Sequence, residues 1–173
     1  MDGVETEERP AGPAGALPRR RYRIEDEPRP GALARFAVQP LWALLAVMFA
    51  GSWLAWPWFA WNGWVVGSPS LRREIAWVVA GFAGRAALIV VLLAADASGR
   101  LPAAAVPYAL LPLTLWTLAV SYVLHILQSR GFQLYEHYGG KLRSGLPVVL
   151  GGFLVRHLLL QSAGSGLLAM LLG

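Results

Sequence analysis

The amino-acid sequence predicts an all-α integral membrane protein, a four-transmembrane-helix bundle preceded by a disordered N-terminal tail. Three observations lead there. The 173 residues are 56% hydrophobic and only 14% charged, whereas an ordinary soluble domain carries about 25% charge. Four apolar runs reach the roughly 20 residues needed to cross a hydrocarbon core of about 30 Å. They cover residues 41–61, 75–95, 103–128 and 146–170. Residues 1–35, by contrast, combine proline, glycine and alanine with seven acids and seven arginines. Such a segment has too little apolar surface to offset the entropy of ordering it.

Residues 1–35 therefore form the expected tail and residues 36–173 the membrane domain. The cluster Arg19-Arg20-Arg21-Tyr22-Arg23 is largely cancelled by Glu25-Asp26-Glu27, so it reads as a topology marker more than a headgroup-binding patch. The first run follows, and no charge occurs from Phe36 to Leu71. No cleavable signal peptide is apparent, so this run is expected to stay as an anchor. Six of the eight tryptophans lie between Trp42 and Trp64. Indole prefers the membrane interface, so Trp56, Trp58 and Trp61 are expected to anchor the exit of the first span as surface or interface residues. Pro57 is expected to kink or end that helix.

Ser68-Pro69 reads as a helix start, with Ser68 as the cap and Pro69 at the first helical position. Leu71-Arg72-Arg73-Glu74 then forms an interfacial turn before the second span, which places Glu74 at the membrane edge. Within that span the small residues Ala76, Ala80 and Gly84 allow close helix contact and are candidate interface positions. Asp96 to Arg100 is a tight turn. The third span starts among Pro102, Pro107 and Pro112, and the connector from Ser129 to Ser144 is either an interfacial segment or a helical extension. Four spans place both termini on one side. The cytoplasmic side is expected to be theirs, by eight basic residues against five.

Composition excludes several functions. There is no cysteine, hence no disulfide, thiolate catalysis or thiolate metal site. No catalytic triad, zinc-protease motif, phosphate loop or intramembrane carboxylate pair is present. Enzyme activity, a metal, a cofactor and nucleic-acid binding are accordingly not expected. A composition rich in Ala, Gly, Arg and Pro, with Lys141 the only lysine, resembles one encoded by a GC-rich bacterial genome. The expected location is the bacterial inner membrane.

Two arginines, Arg85 and Arg156, stand inside the apolar runs, each ten residues from its start and so about 15 Å deep. A guanidinium stays charged and must be paired or wet. On a helical wheel at about 100° per residue, Thr114, Thr117, Ser121, Tyr122, His125 and Gln128 share one sector of the third span. Arg156, His157 and Gln161 share one of the fourth. The simplest arrangement turns these two stripes toward each other, with Arg85, Tyr122, His125, Arg156, His157 and Gln161 lining a polar interior. The expected function is a non-enzymatic interaction, assembly or lipid-interacting subunit, with membrane lipids and a partner subunit or second copy as its partners. The alternative is binding or transport of an anionic solute or lipid phosphate through an oligomeric bundle. A more remote alternative places haem between His125 and His157.

Overall fold

The computed structural model describes residues 31–100, 102, 108 and 110–162. The tail before residue 31, the proline-rich stretch 103–107 and the chain after Ser162 lie outside the described residues. So do the disorder expected of most of the tail and the end of the fourth run. Of the predicted tail, the last residues are structured: Ala32–Phe36 form a 3-10 turn with Ala34 buried. The described residues form five α-helices and no strand: α1 (Pro40–Phe49), α2 (Ser52–Val66), α3 (Leu71–Ala97), α4 (Leu111–His137) and α5 (Leu146–Ser162).

The first apolar run is two helices. Pro40 opens α1, where a missing N–H and a preset φ cost nothing. Gly51 then takes φ 97°, a backbone region that only glycine enters freely. The Ala50 and Gly51 amides both donate to the Ala46 carbonyl and close α1. Continuing past Pro57, α2 runs on to Gly67, whose left-handed conformation lets the Ser68 amide cap the Gly63 carbonyl. The predicted break at Pro57 thus falls instead at Ala50–Gly51. Proline this close to a helix start removes only one backbone bond, whereas Gly51 reverses the chain.

Asn62 fixes the two halves side by side. Its side-chain amide donates to the Val38 carbonyl at 2.8 Å and accepts from the Val38 amide at 3.3 Å. With residues 38 and 62 adjoining and the turn at 50–51, α1 and α2 are an antiparallel helical hairpin. At 1.5 Å per residue, α1 is about 15 Å long, half of a bilayer core. Both ends of the hairpin therefore lie at one end of the bundle, here called the base, and its tip lies inside.

The long helices α3 and α4 pack antiparallel, and α2 packs on both. In register, Glu74 meets Gln128 and Arg85 meets Thr117. Glycines set the spacing. Gly81 lies under Trp56, whose ring meets Phe82 edge-on at 4.8 Å, and Gly84 lies under Trp116, whose indole N–H donates to the Gly81 carbonyl at 3.0 Å. Gly84 is thus an internal contact, while Ala76 and Ala80 face outward. α4 extends as helix through His137, so most of the expected connector is helical; after Gly139 (φ 85°) the chain returns and the Arg143 amide donates to the Ala37 carbonyl. At its other end the described part of α4 starts at Leu111, and the expected start at residue 103 lies outside the described residues.

α5 packs on α1 and runs parallel to it. Gly145 sits against Trp42 and Trp58 at the base, and Gly152 against Ala50 and Leu54 at the hairpin tip. The core formed by Ala43, Ala46, Trp56, Trp58, Phe59, Val78, Val120, Leu124 and Val149 lies around the hairpin. Trp56 and Trp58 are consequently core residues rather than interface anchors: hairpin formation folds them inward. Trp61 alone of the three remains outside, 48% exposed and packed on Trp64.

Two described helices, α3 and α4, are long and apolar enough to cross a membrane; four spans are not seen. Only 22% and 33% of their most apolar stretches lie inside the bundle. A core helix of a soluble protein would be mostly buried. Here Val79, Val90, Val91, Leu115 and Leu118 face outward, a surface that suits lipid.

Candidate functional site

The polar groups of the bundle lie in two layers joined by the inner faces of α3 and α4. On α3 the buried residues are Glu74, Val78, Gly81, Arg85 and Ile89, and on α4 they include Leu113, Thr117, Ser121, Leu124 and Gln128. Both sets recur every three or four residues, the period of one helix face. Each polar residue of α4 meets a different partner: Thr117 meets Arg85, Ser121 meets Trp56 and Gln128 meets Glu74.

The base layer centres on Glu74, which is 0% exposed. Its Oε1 accepts from the Ser68 and Ser70 hydroxyls at 2.6 and 2.7 Å. Its Oε2 accepts from the Gln128 side-chain amide at 2.7 Å, and the same NH2 also donates to the Phe59 carbonyl. Gly63 makes room for the carboxylate, because a Cβ there would overlap Oε2. Expectation is corrected twice here. Glu74 is buried in the bundle at its base, not part of an exposed interfacial turn. Ser68 serves the carboxylate rather than capping α3, whose first residue is Leu71 with Ser70 before it. The overlooked signal was the α3 stripe: from Arg85, steps of four, three and four residues back lead through Gly81 and Val78 to Glu74.

The upper layer surrounds the hairpin tip. Arg85, 6% exposed, donates from Nη1 to Thr117 Oγ1 at 2.6 Å, and that hydroxyl in turn donates to the Leu113 carbonyl at 2.8 Å. Ser121 is used the same way, accepting from the Trp56 indole N–H at 2.9 Å while donating to the Thr117 carbonyl at 2.7 Å. These hydroxyls spend their single hydrogen inside their own helix and offer lone pairs to a neighbour. Arg156 reaches the tip from α5, its Nη1 3.4 Å from the Phe49 carbonyl. The Trp53 indole N–H donates to the Ala50 carbonyl at 2.6 Å. Both cap the C-terminal end of α1, where unpaired carbonyls carry partial negative charge.

Protein oxygens thus reach both arginines, Thr117 Oγ1 at 2.6 Å from Arg85 and the Phe49 carbonyl at 3.4 Å from Arg156, whose buried Nε has no partner among the described residues. A central arginine costs about 2.5–3.5 kcal/mol to insert, and one hydrogen bond from a charged group contributes about 1.5–3 kcal/mol. The offset is of the right size.

The six residues expected to line one site are not brought together. Arg85 is inside the α3–α4 contact. Tyr122 is 60% exposed. His125 is partly buried, with no hydrogen-bond partner for its Nδ1. His157 and Gln161 lie on the outer face of α5, bonded to each other at 2.9 Å, with His157 stacked on Phe153. Among the described residues α5 packs chiefly on α1, so its stripe is not set against that of α4. The polar stripe of α4 finds its partners on α2 and α3 instead. His125 and His157 accordingly stand on helices that are not principal packing partners among the described residues.

No protein-family model, curated protein or solved structure matches this chain.

Proposed function

We propose that this chain is an integral membrane subunit without enzymatic activity, in which a re-entrant hairpin is held by crossing helices and one lateral face docks a partner. The observation that carries this reading is the outer face of α5. Phe153, Leu154 and Leu158 are exposed there, and the His157–Gln161 pair stands among them. His157 is about 16 Å along α5 from Leu146, at the depth where polar side chains are rare and almost always turned to protein or water. Arg85 and Arg156, bound to protein oxygens, favour an assembly role over a solute site.

The hairpin also changes the topology. Because α1 and α2 return to the base, we infer three crossings, α3, α4 and the apolar run 146–170 that begins with α5, with the two termini on opposite sides. The base then carries the seven tail arginines with Arg72, Arg73, Arg130, Lys141 and Arg143, while the other side carries Arg100 alone. That asymmetry is far stronger than eight against five, and it puts the base in the cytoplasm. A C-terminal alkaline phosphatase fusion should be active and a C-terminal green fluorescent protein fusion dark. The reverse pattern would refute three crossings.

Extraction in a mild detergent followed by native mass spectrometry tests the docking role. The expected mass is that of this chain with one stoichiometric membrane protein, released when His157 and Gln161 are both replaced by leucine. A wild-type chain recovered only as a lipid-free monomer would overturn the reading; a dimer of this chain would make the partner a second copy.

A further inference from the structure

The base layer contains more acceptor than donor. Ser68 Oγ, Ser70 Oγ and Glu74 Oε1 form a triangle with sides of 2.6, 2.7 and 2.9 Å. Three such contacts call for three hydrogens, and two hydroxyls bring two. Beside the triangle, Gln128 is fully buried, yet its Oε1 has no partner. Which end of this amide faces Glu74 is a matter of assignment. If Oε1 faced inward it would meet Glu74 Oε2 and the Phe59 carbonyl, and the cluster would lack still more positive charge.

The groups facing Glu74 are Ser68 and Ser70 from the turn before α3, the Phe59 carbonyl and Gly63 from α2, and Gln128 from α4. None of them is cationic, and the nearby Arg72, Arg73 and Arg130 are exposed. A dehydrated carboxylate of this kind is costly without a positive partner.

We propose that Glu74, Ser68, Ser70, the Phe59 carbonyl and Gln128, its amide turned so that Oε1 faces inward, form a binding site for one small monovalent cation. Carboxylate, hydroxyl, amide and carbonyl oxygens are the ligands hard cations take. A single carboxylate balances one charge, whereas a divalent ion would leave a buried excess. Ser70 is half-buried and Pro69 exposed, so the site lies one residue below the surface of the base. Sodium is the monovalent ion proposed.

The test uses the purified full-length protein in detergent, with sodium chloride exchanged for choline chloride at constant ionic strength. If sodium is the ligand, equilibrium binding of radioactive sodium saturates at one per chain and Tm rises saturably with sodium but not with choline. Glu74→Gln abolishes both effects. Ser68→Ala weakens sodium binding by about 10–100-fold, the range seen when a supporting group of a metal site is removed. The proposal is overturned by a wild-type protein that binds no sodium and whose Tm does not respond to it, a result that needs no variant to fold.

Discussion

Gly63→Ala is expected to destabilise the bundle by about 3 kcal/mol, the sum of overpacking and a disturbed hydrogen bond to a charged group. The added methyl would overlap Glu74 Oε2 and come within 3.1 Å of Gln128 Nε2. A carboxylate at a flexible side-chain end could ordinarily swing away. Glu74 cannot do so without releasing Ser68, Ser70 and Gln128 together. Gly131→Ala on α4 is the control: its nearest obstacle is Ser68 Oγ at 4.0 Å, and replacing an interior helical glycine with alanine should stabilise by about 0.5–1 kcal/mol. Reversible unfolding in mixed sodium dodecyl sulfate micelles reads both. Equal stability of the two variants would show that Gly63 is not what seats the carboxylate.

Thr117→Val should cost about 1.5–3 kcal/mol, because it removes the hydroxyl that accepts from the buried Arg85 guanidinium while preserving shape. Arg85→Met should cost less, although it deletes the larger group. It removes the buried charge together with the need to solvate it, and Thr117 keeps its bond to the Leu113 carbonyl. Adding Arg85→Met to Thr117→Val should therefore restore stability toward that of Arg85→Met alone, a positive coupling measured by a double-mutant cycle. Additive losses would mean that Arg85 does not depend on Thr117.

Much of the bundle was legible because hydropathy and helical period are local properties. The α3 and α4 helices, the buried position of Arg85 and the inward turn of Thr117, Ser121 and Gln128 all follow from counting along one helix. The hairpin was harder to see. Residues 41–61 are uniformly apolar, so hydropathy cannot distinguish one crossing from two half-length helices. The distinguishing signs were Gly51 before Ser52, a stop and a start in succession, and Asn62, which has no partner until the chain folds back to Val38. Pro57 attracted attention as a breaker, yet near the first turn of a helix it breaks little.

Sequence alone determined that the chain is helical and apolar, that Arg85, Thr117, Ser121 and Gln128 turn inward, and that two guanidiniums must find oxygen at depth. These are consequences of composition and a 3.6-residue repeat. Only the tertiary structure decided what those faces meet. It returned α2 to the base, placed α5 on α1 rather than opposite α4, separated His125 from His157, and closed three helices over Glu74. Each of these depends on contacts between residues distant in sequence, such as Asn62 with Val38 and Gln128 with Phe59 and Glu74. Whether a carboxylate lies at a membrane edge or inside a bundle is settled by what packs over it, and Gly63, on another helix, leaves the space that lets Glu74 lie inside.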